Sequence, residues 1–337
     1  MIKEIIGKLV NREDLSEYEM ERIMEEIMQG NLSPSQISAF LVALKMKGES
    51  AQEITAGARI MRKYALKINP ERDVLDTCGT GGDGKGTFNI STACAIVVSA
   101  CGVAVAKHGN RSISSKCGSA DVLKALGIDI EMKKERAEEC LRKIGITFLF
   151  APLFHPAMKN VLPTRREIGI RTIFNILGPL VNPAGAKYQL LGVYDKTLGY
   201  TLAEALKNLG SLRCLLVHSA DGLDELSTTD KNYLWEVNNG KISHYEIEPL
   251  DFGFSRSSIE DLLGGEVSRN AQIILEVFKG RRFPPRDVVV LNSGCALYTA
   301  NKAKDIKEGI KMAKESIDSG KAMKKLEEWK RFSEQGC

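Results

Sequence analysis

The stretch DTCGTGGDGKGTFNIST, residues 76–92, joins a short apolar run to an apolar helical pattern that starts near Ser91. Its glycines give two partial matches. Gly79, Gly81 and Gly84 form G-x-G-x-x-G, and Gly79 to Lys85 begins a P-loop. A dinucleotide site needs an acidic residue at the end of the next strand, to hold a ribose hydroxyl. That strand ends in Lys107-His108. A P-loop needs Ser or Thr after its lysine to reach magnesium, and Gly86 stands there. Both matches fail at their second requirement. What remains is a long glycine loop leading into a helix start, where backbone N–H groups and the positive end of the helix dipole favour a phosphate or diphosphate.

Outward from this loop, short apolar runs alternate with helical patterns from Asp73 onward: DVLDT, STACAIVVSACG, VAVAKHG, SADVLKALG and ITFLF, then YQLLGVY and RCLLVHSA. This alternation predicts βαβ units around a largely parallel sheet. YLWEVNNGKISHYEI predicts a hairpin turning at Asn239-Gly240, so the sheet is mixed. The first 65 or so residues carry helix signals instead. Capping boxes pair Ser16 with Glu19, Ser33 with Gln36, and Ser50 with Glu53. Apolar stripes run through Met20, Ile23, Met24, Ile27 and Met28, and through Ile37, Phe40, Leu41 and Leu44. HPAMKNVLPTRREIGIRTIFNILGPLVNP interrupts the β/α rhythm with a helical pattern bounded by Pro179 and Pro183, and is expected to pack on the N-terminal helices. The expected fold class is α/β: a small all-helical N-terminal module plus a large α/β domain with a central, mostly parallel mixed sheet flanked by helices. The helical module takes residues 1–70 with the insertion 155–183, and the α/β domain takes 71–154 and 184–337.

Composition narrows the function. At 337 residues, 43% hydrophobic and 27% charged, the chain can bury a full core. A formal charge of +4 gives no general case for nucleic-acid binding. The eight cysteines show no C-x-x-C pairing, as expected of free thiols in a reducing cytoplasm. The longest apolar run, ACAIVVSACGVAVA, is broken by Gly102 and reads as a buried helix turning into a buried strand, not a membrane span.

Two further clusters stand beside the glycine loop. KHGNRSISSKCGSADVL, residues 107–123, gathers Lys107, His108, Arg111 and Lys116 with Asn110 and four serines directly after the next strand. Two neighbouring strands thus end in phosphate-compatible loops at one sheet edge, where open α/β sheets bind ligands. DGLDEL, residues 221–226, places three carboxylates after a later strand, a set suited to magnesium shared with substrate phosphates. An acidic turn by itself would carry no such meaning.

With these three clusters and the helical insertion in view, the chain resembles the anthranilate phosphoribosyltransferase family over nearly its whole length. GTGGDGKGTFNIST, KHGNRSISSKCGSADVLKALG, HPAMKNVLPTRREIGIRTIFNILGPLVNP and DGLDE match its signature regions in order. The resemblance implies binding of phosphoribosyl pyrophosphate (PRPP) by Gly79, Gly82, Asp83, Thr87, Asn89, Ile90, Ser91 and Thr92. It extends that set to Lys107, His108, Gly109, Asn110, Arg111, Ser112, Ile113, Ser114, Ser115 and Ser119. Anthranilate would meet Gly79, Asn110 and Arg165, and Mg2+ would lie on Ser91, Asp224 and Glu225. It also implies a homodimer through the helical module. Cys117 and Cys295 depart from the small residue expected at each position.

The reaction so implied joins an aromatic amine to C1 of the ribose and expels diphosphate. The amine is neutral at physiological pH, so no strong general base is required, and no Ser-His-Asp or Cys-His arrangement is offered. Lys107 or Arg111 is expected to offset leaving-group charge, and Arg165 to hold a carboxylate bidentately. Arg166 and Arg171 read as an exposed helix face with Glu167. The sequence leaves two rivals. A pyrimidine nucleoside phosphorylase would not need the Asp224-Glu225 pair, and a non-catalytic nucleic-acid-binding relative would want aromatic residues among its basic ones.

Overall fold

The chain opens with four helices: α1 (Ile2–Val10), α2 (Glu17–Gln29), α3 (Pro34–Lys47) and α4 (Ala51–Tyr64). In the computed structural model, which describes residues 1–111 and 116–334, all three predicted capping boxes are formed. Each contributes on the order of 1 kcal/mol. Glu53 does more than cap α4. Its buried carboxylate also accepts from the Leu15 amide at 3.0 Å and the Lys47 ammonium at 2.8 Å, binding three segments together. The α2 stripe from Met20 to Met28 is fully inside, and α2 ends at Gly30 in the left-handed conformation.

The α/β domain holds a seven-stranded sheet. Its strands are β1 (Leu75–Gly79), β2 (Val105–Gly109), β3 (Ile146–Phe150), β4 (Tyr188–Gly192), β5 (Arg213–Ser219), β6 (Asn232–Asn238) and β7 (Lys241–Ile247). In space they run 3-2-1-4-5-6-7. The first five are parallel, and β6 and β7 add antiparallel at the edge. The β6–β7 turn has positive φ at both Asn239 and Gly240, as a two-residue hairpin requires. The chain builds outward from β1 to β3, then returns to lay β4 on the other side of β1. The order reverses between β1 and β4, which makes a crevice at their carboxyl ends.

Alternation along each strand divides the core. Leu190, Leu215 and Val217 face a cluster made by α5 (Ile90–Ala100) and the four C-terminal helices, Val267–Phe278, Pro284–Thr299, Ile306–Asp318 and Lys321–Glu334. Leu191, Cys214 and Leu216 point the opposite way, into a second cluster. That cluster takes in the helix Gly199–Asn208, all four N-terminal helices, and Ile173, Phe174, Ile176, Leu177 and Leu180 of the insertion. The insertion therefore does pack on the helical module, and one apolar core continues from that module onto the sheet.

The insertion is less regular than its sequence pattern suggests. It breaks into a 3-10 turn Pro156–Asn160, Leu162–Ile168 and Ile173–Leu177. Gly169, with φ 67°, stops the second piece, and Pro179 sits inside a final 3-10 turn, Gly178–Leu180, rather than beyond it. Among the described residues no helix is long and apolar enough to cross a membrane. Cys78, Cys94, Cys101, Cys140, Cys214 and Cys295 are free thiols, all but Cys101 buried; Cys337 lies outside the described residues.

Candidate active site

The glycine loop leaves β1 at the crevice and is tied down at both ends. Thr80 donates its amide to the Gly192 carbonyl at 2.9 Å, and its hydroxyl accepts from the Tyr194 amide at 3.0 Å. Beyond the loop, a bridge pairs Thr87 with Leu263, and the Gly264 amide donates to the Gly86 carbonyl at 3.0 Å. Between these ties Gly81, Gly82, Gly84 and Gly86 all adopt positive φ, a run that side-chain-bearing residues rarely sustain. Helix α5 begins at Ile90, one residue earlier than its pattern suggests, and Asn89 does not cap it. The Asn89 amide group turns instead to Cys117, donating to its carbonyl at 3.1 Å. No side chain therefore covers this helix start from the cap position.

The second loop begins at the end of β2, parallel to β1. Lys107 is 2% exposed, and its ammonium donates to the Thr77 carbonyl and, at 3.2 Å, to the Ser91 hydroxyl. It braces the start of α5 from beneath. His108 is also buried. Its backbone N–H donates to Asp76 at 3.2 Å, and the other Asp76 oxygen accepts from Asn182 at 2.7 Å, joining β1, β2 and the end of the insertion. Burial, with His155 nearby, pushes the His108 imidazole down to about 3, so it is neutral, and its Nε2 has no hydrogen-bond partner among the described residues. The two imidazole rings lie 5.0 Å apart. Asn110 fixes the turn by accepting from the Arg111 amide at 2.8 Å. The Ser119 hydroxyl donates to the Asn110 carbonyl at 3.3 Å. Arg111 turns outward to Asp121 at 3.4 Å. Ser112, Ile113, Ser114 and Ser115 lie outside the described residues.

The third loop crosses the crevice itself. Asp224 accepts from the Gly81 amide at 2.9 Å, and its own amide donates to Asp83 at 3.4 Å. Glu225 accepts from the Ser91 amide at 3.2 Å. Three carboxylates thus crowd one wall. Burial, then the charges of Asp83 and Glu225, hold the Asp224 carboxyl well above its ordinary range. Burial raises Glu225 to about 7 against the pull of Lys107. Such a site is under-supplied with positive charge. Among the described residues, no three His, Cys, Asp or Glu side chains are placed to hold a metal ion by themselves. A hard cation here would need Ser91, water or substrate oxygens to complete its shell, which is how Mg2+ binds phosphate substrates.

The helical side closes the cleft. Arg165, on Leu162–Ile168, is half-buried, with its guanidinium 5.4 Å from the Phe174 ring centroid and 3.5 Å from the Asn175 side-chain oxygen. Burial lowers its pKa without removing its charge. The cavity between the modules measures about 800 Å³. Its wall contains Gly79, Gly82, Asp83, Thr87, Asn89, Ile90, Ser91, Lys107, His108, Gly109, Asn110, Ser119, Arg165, Asp224 and Glu225. Two sequence candidates lie off that wall: Thr92, buried in the first turn of α5, and Arg111. Sequence reasoning did not single out His155, Phe174, Asn175, Gly264 or Asn270, which also line the cavity. The adjacent glycines 264 and 265 were the available signal for the last pair. Arg171 is exposed, as expected, but it is not on a helix face: it lies between two helices, with its guanidinium over Tyr194 at 4.2 Å and against Gly82.

A helical bundle whose insertion faces glycine, basic and acidic loops across one sheet crevice defines a sugar-phosphate transferase class, and comparison with known proteins agrees. Residues 3–65 match the helical bundle domain of a glycosyl transferase family, and residues 71–323 match its a/b domain. An anthranilate phosphoribosyltransferase of Petrotoga mobilis is 54% identical over 334 residues, covering 99% of this chain and 97% of the relative. The crystal structure of the Thermus thermophilus enzyme of that name superposes with a TM-score of 0.93 at 44% identity, covering 98% of this chain and 99% of its own. The Saccharomyces cerevisiae enzyme, in complex with PRPP and Mg, gives 0.91 at 29% identity, covering 99% and 98%. The chain belongs to the anthranilate phosphoribosyltransferase family.

Proposed function

We infer that the protein transfers the phosphoribosyl group of 5-phospho-α-D-ribose 1-diphosphate to the amine of anthranilate, releasing diphosphate, in tryptophan biosynthesis. The observation that carries the site assignment is the meeting of three loops at the β1–β4 crevice with Arg165 opposite. PRPP is assigned to the glycine loop, the start of α5 and the turn after β2. There, the glycine-rich backbone and the positive end of the α5 dipole favour phosphate oxygens, and the Gly81 and Ser91 amides are already held by Asp224 and Glu225. Lys107 acts from behind this surface, holding Ser91 in place while its charge partly balances Glu225. Anthranilate is assigned to the helical side, with Arg165 on its carboxylate and Asn110 and Gly79 beside its ring. In the reaction the amine lone pair attacks C1, the C1–O bond to diphosphate breaks, and the amine proton is lost afterwards. Neutral His108 supplies shape and a hydrogen-bonding atom at that centre rather than a strong base. Much of the acceleration then comes from positioning. Asp224, Glu225 and Ser91 would hold Mg2+, which when bound would neutralise charge on the departing diphosphate.

Anthranilate fluorescence gives the test. Its decay should require both PRPP and Mg2+, and PRPP-independent or metal-independent decay would overturn the corresponding assignment. We further propose a homodimer through the helical module, where Val10, Tyr18 and Met46 are exposed. A monomeric mass by sedimentation would remove it. The free thiols support a cytoplasmic setting.

A further inference from the structure

Arg171 stands beside this cleft, off the cavity wall but against Gly82, which lines it, and its placement has no role in the assignments above. It lies in the short link between the helices Leu162–Ile168 and Ile173–Leu177, on the helical side, yet its guanidinium rests on the glycine loop of the other module. A β-carbon at Gly82 would stand 2.7 Å from its terminal nitrogen and 3.1 Å from its central carbon. The opposite contact is the Tyr194 ring, 4.2 Å from the guanidinium carbon. That ring is itself placed by the same loop, since the Tyr194 amide donates to Thr80 at 3.0 Å. Stacking fixes the plane of the guanidinium and leaves its N–H edge unspent. Among the described residues Arg171 has neither a carboxylate partner nor a hydrogen bond, although it is the exposed end of a module-to-module contact.

The other cations near the loop are differently employed. The Lys107 ammonium is spent on Thr77 and Ser91, Lys116 pairs with Glu266 at 3.0 Å, Arg111 faces Asp121, and Arg165 lies deeper, against Phe174 and Asn175, while the Lys85 side chain extends from the loop toward Gly222. The carboxylates Asp83, Asp224 and Glu225 crowd the same region, an arrangement unfavourable for a polyanion until positive charge is added. We propose that Arg171 is a diphosphate-binding residue: it reaches from the helical side over Gly82 to the leaving group of PRPP and latches the two modules together when that ligand is bound. This rests on the PRPP assignment above. It adds a charge-assisted contact that forms only when the ligand and both modules are in place, so the same arginine serves binding and closure.

The test is calorimetric binding of inorganic diphosphate in the presence of Mg2+, with steady-state kinetics alongside, on wild type, Arg171→Ala, Arg171→Lys and Arg166→Ala. Arg171→Ala should weaken diphosphate binding and raise the KM for PRPP by about ten- to a hundredfold, the usual size of a charged hydrogen bond. The KM for anthranilate should move less than about twofold, well under that range. Arg171→Lys should recover part of the loss, and Arg166→Ala, an equal change of net charge at an exposed neighbour, should recover wild-type values. An unchanged diphosphate affinity in Arg171→Ala overturns the proposal while leaving the PRPP assignment standing. Equal losses in Arg166→Ala overturn it in favour of a diffuse charge effect. A parallel rise in both KM values with a lowered melting temperature overturns it in favour of a structural role. Wild type that binds no diphosphate would bring down the PRPP assignment and this inference together.

Discussion

Gly192→Ala isolates the geometry on which the site depends. Gly192 ends β4 on the far side of the crevice, paired in register with Gly79. A β-carbon there would stand 1.6 Å from the Asp224 carbonyl oxygen and 2.7 Å from its carbonyl carbon, both backbone atoms of the acidic loop. Ordinary contact begins near 3.4 Å, so that loop must retreat by about 1.8 Å. The retreat takes the Asp224 carboxylate from the Gly81 amide, now at 2.9 Å, and pulls Glu225 from the Ser91 amide at 3.2 Å. Overpacking of this kind costs about 1–3 kcal/mol of stability. Its effect on turnover is larger, because a misplacement of about 1 Å at a positioning group can cost a hundredfold. Anthranilate fluorescence decay should therefore show kcat/KM reduced by at least about a hundredfold, while circular dichroism still reports a folded protein. Gly7→Ala is the control: the helix α1 interior has nothing within 4 Å of the new carbon, and stability should rise by about 0.5–1 kcal/mol with activity unchanged. A folded Gly192→Ala enzyme within a few-fold of wild type would refute the placement of Asp224 and Glu225 in the reaction.

Arg165→Ala should raise the KM for anthranilate by about ten- to a hundredfold and that for PRPP far less; equal rises would remove its carboxylate role. Glu53→Ala strips a buried carboxylate from Leu15, Lys47 and Ser50, and urea unfolding should show a loss of about 3–5 kcal/mol without a change in kinetics at low temperature. A loss below about 1 kcal/mol would mean Asp14 suffices as the Lys47 partner. His155 is buried and its pKa is lowered from 6.5 to about 4, so it contributes stability above pH 6.5 that is lost as pH falls towards 4. His155→Gln should therefore gain on wild type by about 1.4 kcal/mol per pH unit across that window. Asp76 and Glu225 titrate with the opposite sign, but they are common to both proteins and cancel in the difference. A flat difference would show that His155 is charged or solvated in the native state.

The sequence made some of this architecture readable and hid the rest for a physical reason. Capping boxes, the α2 stripe and the Asn239-Gly240 turn depend on residues within a few positions of one another, so local chemistry sufficed. The loops after β1 and β2 were also accessible, because parallel neighbouring strands must deliver their carboxyl ends to one edge. Inaccessible were side-chain directions set by distant partners. Lys107 sits in a run that looks like a solvated basic loop, yet β-strand alternation and the carbonyl of Thr77 turn its ammonium inward. Arg171 sits in a stretch that looks like an ordinary charged helix, yet Gly169 ends the helix two residues earlier and frees the arginine to cross to the other module. The glycine at 82 is needed for its own positive φ and again because no β-carbon fits beneath that guanidinium. Two constraints from opposite sides of the cleft thus converge on one residue. Gly82→Ala should therefore couple to Arg171→Ala in a double-mutant cycle on PRPP binding, the second change costing less once the first has displaced the guanidinium. Additive losses would show that Gly82 is required by the loop's conformation alone.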